Sequence, residues 1–209
     1  MATVITAGNA TNGLSLSADN TGSFEFKTGT GAGTTAISVS SSQIVTMNGG
    51  VIYPLVAGTA VASTSGTSID FTSIPSWVKR ITVMFNGVST NGASIVLIQL
   101  GSGSAETTGY LGAGVSVAGA VVTTNYTTGF GLGATGNTAA STVRQGSVII
   151  SLLNSNIWTC TGAVADSGNA ASTITAGSKT TSGVLDRVRI TTVNGTDTFD
   201  AGSINILYE

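Results

Sequence analysis

Catalysis and ligand binding need bases, nucleophiles, metal donors or phosphate cradles, and this chain offers few of them. Its carboxylates are Asp19, Glu25, Asp70, Glu106, Asp166, Asp186, Asp197, Asp200 and Glu209. A pair such as Asp186 with Asp200 could hydrolyse a glycosidic bond if the two faced each other across a cleft about 5 to 9.5 Å wide. Nothing in their spacing favours such a pair. Aromatic residues, which line sugar-cleaving clefts, make up only 6% of the chain. There is no histidine, so the commonest general base and the commonest metal ligand are both missing. The single cysteine, Cys160, permits neither an intrachain disulfide nor a cysteine-based zinc site, and reads as a small buried apolar residue. No enzyme and no cofactor are expected.

Two loops invite a ligand and then fail on inspection. The run Thr28-Gly29-Thr30-Gly31-Ala32-Gly33-Thr34-Thr35 lacks the lysine of a phosphate loop and the third glycine spacing of a dinucleotide fingerprint, so it reads as a turn. Asn194-Gly195-Thr196-Asp197-Thr198-Phe199-Asp200 carries oxygen donors, but not in the order of a calcium-binding hand, and reads as an Asx turn. Asn9, Asn125 and Asn194 each begin an N-x-Thr triplet, which a threonine-rich chain supplies by chance. A contact surface is expected instead in the loop-like region 102–142, where Tyr110, Tyr126 and Phe130 stand among Gly, Ser, Thr and Asn.

Charge excludes whole classes of partner. Charged residues are 8% of the chain, against about 25% in an average soluble protein. The net charge of −2 gives no footprint for nucleic acid or an anionic membrane. The longest apolar runs, at 95–98 and 148–153, fall far short of the roughly 20 residues of a membrane helix. The first ten residues, MATVITAGNA, have no basic start and no continuous apolar stretch, so they do not read as a signal peptide and synthesis in the cytoplasm is expected.

The elements that must position these residues are strands. Glycine occurs 29 times and belongs in turns, and no apolar stripe recurs at helical spacing. Strands are expected at 54–62, 67–72, 78–85, 94–101, 107–117, 120–131, 143–153, 157–165, 171–176, 184–193 and 202–208. Turn signals separate them at Asn86-Gly87, Asn91-Gly92, Gly101 to Gly103, Gly133 to Gly136, Ser167-Gly168 and Asn194-Gly195. The fold class is therefore all-β, an antiparallel β-sandwich of jelly-roll-like topology over 51–209, with an extended β-rich N-terminal segment over 1–50. That segment alternates as strands do at Phe24/Phe26 and Ile37/Val39, but carries too little apolar bulk for a core of its own. Along 77–85, Trp77, Ile81, Val83 and Phe85 share one face, and Arg80 and Thr82 the other, with Lys79 out of pattern near the strand's start. Arg187 and Arg189 alternate in the same way with Val188 and Ile190, so the arginines read as solvent-face positions. Trp77 reads as a core or interface anchor and Trp158 as a strand-core residue.

Three stretches carry a family likeness. ADNTGSFEFKTGTGAGTTAISVSSSQIVTMNG (18–49) resembles the short repeated strands near the start of bacteriophage tail fibre and head fibre proteins. IDFTSIPSWVKRITVMFNGVSTNGASIVLIQLGSGS (69–104) and GVLDRVRITTVNGTDTFDAGSINILYE (183–209) resemble the C-terminal β domain of tailed-phage virion proteins. The likeness covers about half the chain and carries no catalytic residue set. It implies a homotrimer located in the virion, attached to other virion proteins through the N-terminal segment, with a C-terminal domain touching a host surface glycan. A capsid decoration or baseplate protein without a receptor role is the alternative it leaves open.

Overall fold

The computed structural model describes residues 24–28, 34–40, 45–47 and 50–209. The glycine run at 29–33 and the triplet at Asn9 lie outside these residues. Contacts divide the chain into two compact units, Met1–Pro54 and Leu55–Glu209.

The described part of the first unit is a four-stranded antiparallel meander of β1 (Phe24–Thr28), β2 (Thr34–Val39), β3 (Val45–Met47) and β4 (Gly50–Ile52). Its register sets Phe26 opposite Ile37 and Ile37 opposite Met47, one apolar row across three strands.

The second unit opens with three short strands, β5 (Val56–Ala57), β6 (Val61–Ala62) and β7 (Ile69–Thr72). Then come β8 (Arg80–Thr90), β9 (Val96–Ser102), β10 (Ser104–Ala105), β11 (Tyr110–Ala118), β12 (Ala120–Tyr126) and β13 (Phe130–Gly131). β14 (Arg144–Asn154), β15 (Ile157–Asp166), β16 (Ala171–Thr180), β17 (Arg187–Thr192) and β18 (Phe199–Tyr208) complete it. No helix occurs among the described residues, and all strand pairs are antiparallel.

These strands form two sheets. The larger runs β12-β11-β16-β15-β14-β8-β18-β5, with β6 also on β18; the smaller runs β10-β9-β17-β7, with β13 also on β9. The long pairs are nested along the chain: β8 with β18, β9 with β17, β11 with β16, and β14 with β15. One apolar core joins the sheets. Ile81, Val83, Phe85, Val148, Ile150, Ile204 and Ile206 come from the larger sheet, and Phe71, Val96, Ile98, Leu100, Val188 and Ile190 from the smaller.

Alternation explains most of this packing. In β8, Ile81, Val83 and Phe85 are buried while Arg80 is exposed; in β17, Val188 and Ile190 are buried between half-buried Arg187 and Arg189. Trp77 sits in the turn before β8, packed against the core and tilted on Tyr208 at 5.9 Å. β9 departs from alternation and is buried on both faces from Val96 to Gly101.

Two expectations need correction. Asn86-Gly87 is not a turn: β8 continues through it to Thr90. Gly87 takes a positive φ of 69°, the registers with β14 and β18 shift beside it, and its N–H donates to Gln145 at 2.9 Å. The glycine makes a bulge there instead of reversing the chain. The strand expected at 120–131 breaks after Tyr126, and the chain crosses to the smaller sheet as β13.

The faces of β8 can be tested by substitution. Phe85→Ala, in the shared core, is expected to cost about 3 to 5 kcal/mol in urea denaturation. Arg80→Gln, at an exposed pair with Glu209, is expected to stay within about 0.5 kcal/mol of wild type. Equal small effects at the two positions would mean that the faces of this strand are assigned wrongly.

Candidate functional site

The aromatic residues expected on an exposed contact surface are core residues. Tyr110, Tyr126 and Phe130 are all buried, and that expectation is corrected. Tyr110 reaches from β11 across to β9, where its hydroxyl accepts from the Leu100 N–H at 2.6 Å and lies 3.1 Å from the Glu106 carbonyl. Its ring meets Phe130 edge-on at 5.1 Å. Burial pushes its phenol pKa well above the ordinary value, outweighing the Leu100 hydrogen bond. Tyr126 donates to the Gly133 carbonyl at 2.9 Å, and burial raises its pKa to about 12. Its ring lies directly on the backbone of Gly114 and Gly131, where any Cβ would collide with it. A sequence signal for this did exist. Gly112, Gly114 and Ser116 alternate behind Tyr110, a row of small residues on one strand face that leaves room for a ring.

Charge is also buried, which the sequence reading did not foresee. Lys179 lies 2.5 Å from Glu106 and 5.4 Å from the centre of the Tyr110 ring, with little of either charged side chain exposed. Ser182 donates to Glu106 through both its N–H and its hydroxyl, each at 2.8 Å. Burial alone would raise the Glu106 pKa, but the hydrogen bonds from Lys179 and Ser182 outweigh it and hold the carboxyl below its ordinary value. Arg144 is buried beside the Leu132 carbonyl, and its Nη1 has no hydrogen-bond partner in the protein. Burial lowers its pKa to about 10, against the opposing charge of Asp166. Asp166 is itself held by the N–H groups of Val143 and Gly168 and the Asn169 amide. These groups close turns and tie loops to strands.

The other candidate groups are occupied separately. Asp186 pairs with Arg187 and accepts from Gly103, while Asp200 accepts from the Ser89 hydroxyl. Asn194 Oδ1 accepts from the N–H groups of Thr196 and Asp197, which is an Asx turn. Trp158 and Cys160 are in the core, and burial pushes the Cys160 thiol up to about 12. Among the described residues no three Cys, Asp or Glu side chains gather as metal donors.

Hydrogen-bonding groups converge on the outer face of the smaller sheet. Register places Asp70, Arg189 and Gln99 side by side on β7, β17 and β9. Arg189 grips Asp70 with two bonds of 2.7 and 2.9 Å, holding its guanidinium flat and neutralising it. Gln99 donates to the Thr128 carbonyl at 2.8 Å, and Thr191 to the Thr67 carbonyl at 2.9 Å. Arg189, Gln99 and Thr191 line a groove of about 360 Å³ with Leu97, Thr107 and Asn194. A net-neutral array of hydroxyls, amides and a planar guanidinium suits an uncharged ligand rich in hydroxyl groups. Arg189 and Thr191 occupy outward positions of β17, while Gln99 is a buried residue of a strand without alternation, and only the pairing of β9 with β17 reveals that they are neighbours.

The Glu106 pair sets an acid limit on stability. A depressed pKa contributes stability above the ordinary value of 4.5, and that contribution is lost as pH falls through the folded value. The urea midpoint is therefore expected to drop below about pH 4.5, and Glu106→Gln to flatten that drop. At neutral pH, Glu106→Gln is expected to cost about 3 to 5 kcal/mol, because Lys179 is left buried without its partner. An unchanged acid limb in the variant would show that the pair does not set it.

Comparison of the chain with protein-family models, with curated proteins and with solved structures finds no match in any of the three.

Proposed function

We propose that this chain is a structural protein of a tailed-bacteriophage virion, a trimeric fibre or spike subunit made in the host bacterial cytoplasm. In this reading the first unit attaches to other virion proteins, and the second touches a host surface glycan through the groove of Gln99, Arg189 and Thr191. The observation that carries it is that groove: neutral, lined by hydroxyls and amides, and set on a rigid sheet. The likeness of 18–49, 69–104 and 183–209 to phage fibre proteins supports the same conclusion. The second unit is then a jelly-roll-like sandwich. The nested pairs β8–β18, β9–β17 and β11–β16, alternating between the sheets, support that assignment. The innermost pair, β14–β15, lies in the same sheet as the first and third. The alternative, a capsid decoration or baseplate protein, calls for no receptor groove at all.

Binding of the full chain to host cells or to purified lipopolysaccharide tests the receptor role. Thr107→Ala and Thr191→Ala, both on the groove's accessible lining, are each expected to weaken binding by roughly 3- to 10-fold, the effect of one lost hydrogen bond. No binding to any strain that the particle adsorbs to would end the receptor role. Labelling the subunit in the particle decides the alternative: a few copies at a fibre or spike support adsorption, and many copies over the shell support decoration.

A further inference from the structure

The outer face of the larger sheet carries the opposite pattern from an ordinary protein surface. Strands β11, β12, β14, β15 and β16 contain three charged residues, Arg144, Asp166 and Lys179, and all three are buried. Each has the strand parity of core residues: Arg144 with Val148 and Ile150, Asp166 with Trp158 and Cys160, and Lys179 with Ala171 and Thr173. The outward positions of these strands hold no charge. They hold Leu111, 76% exposed, with Val117, Val121, Ile149 and Ile174, all large, apolar and exposed. Register gathers them: Val117 faces Val121, and Val115 faces Ile174. Ser172, Thr159 and Thr161 lie between them as exposed hydroxyls. Among the described residues β12 has β11 as its one strand neighbour, and the sequence AVVTTNY puts neither charge nor proline on that edge. Soluble proteins guard such edges with lysine, proline or a covering element.

We infer that this face, with the β12 edge, is the contact between copies of this chain. The occupant follows from chemistry and from area. A charged partner would give up hydration and find no opposite charge there. A lipid surface would leave the interspersed hydroxyls without partners, whereas a second copy brings an uncharged surface of the same hydroxyl-rich and aliphatic composition, which a trimer sets head to tail against this face. The outward face of the five uncharged strands, from β12 to β14, spans about 600 Å², and about 1,000 Å² with β8 and β18, where exposed Arg80 stands at its border, taking about 4.8 Å between strands and 3.3 Å per residue. A stable interface needs about 800 Å² from each partner. The inference deepens the trimer of the proposed function, but its observations hold without the virion or the glycan.

The test is mass in solution for the full chain, by light scattering after size exclusion at micromolar concentration. Wild type is expected at a multiple of 20.6 kDa. Val117→Lys with Ile174→Lys is expected at the single-chain mass with an unchanged β-sheet circular dichroism spectrum. Should the lysine variant fail to fold, Ser172→Cys probes the same face, since Cys160 is buried. Its thiol is expected to react with a maleimide about tenfold more slowly in assembled protein than after dilution to single chains. A monomeric wild type overturns both this interface and the trimer. A wild type that assembles while the folded lysine variant also assembles, or while the Ser172→Cys thiol labels equally fast in both states, overturns this face alone. Glycan binding, read separately, stands or falls with the groove.

Discussion

The Tyr110 hydroxyl fastens one sheet to the other. The side chain leaves β11 in the larger sheet and ends on the backbone of Leu100 in the smaller one. A buried hydroxyl is tolerated only when its hydrogen bonds are made, so the two sheets are held at one separation and one offset. Phe130 packs against the ring, and Lys179 lies over it. Glu106, whose carbonyl meets the same hydroxyl, is then brought within reach of Lys179. The loop between β10 and β11 is thus pinned by one aromatic side chain and the ion pair beside it. The core on either side is apolar and could slide; this polar contact cannot slide without losing its partners.

The placement of charge follows a consistent logic. In β11, β12, β14, β15 and β16 the ionised groups are used inside, where a directional bond selects one arrangement. The outside of those strands is left to threonine, serine and aliphatic side chains. Such a surface gains little from surface ion pairs and loses little when salt screens them. It also has little to keep copies apart, since like-charge repulsion is weak at a net charge of −2.

Much of the fold was legible in the sequence. Alternation at 81, 83 and 85, and at 188 and 190, identified both strands and their inner faces, because one face is dry and the other wet. The Asn194 loop announced its Asx turn. The buried aromatics were misread because they stand among Gly, Ser and Thr, the composition of exposed loops. Yet in this chain glycine also serves to let a ring lie on bare backbone, as Gly114 and Gly131 do for Tyr126. Arg144 and Lys179 share parity with core residues, a signal that an average preference for exposed cations overrides. The groove could not be read at all, since it depends on β9 lying beside β17, strands separated by seven others in the chain.

The nested pairing also governs the order in which the molecule can be made. Ile81 on β8 pairs with Tyr208 on β18, more than a hundred residues downstream. At about 5 to 20 residues per second, a ribosome takes roughly 6 to 25 s to supply that partner. During that interval β8 has an open edge and an apolar face, while the hairpin of β14 and β15 can close on itself as soon as it emerges. Pairing of such remote segments is slow for any chain, because the long loop must be closed before the contact rewards it. The nascent polypeptide therefore spends its most vulnerable period with the first long strand waiting for the last.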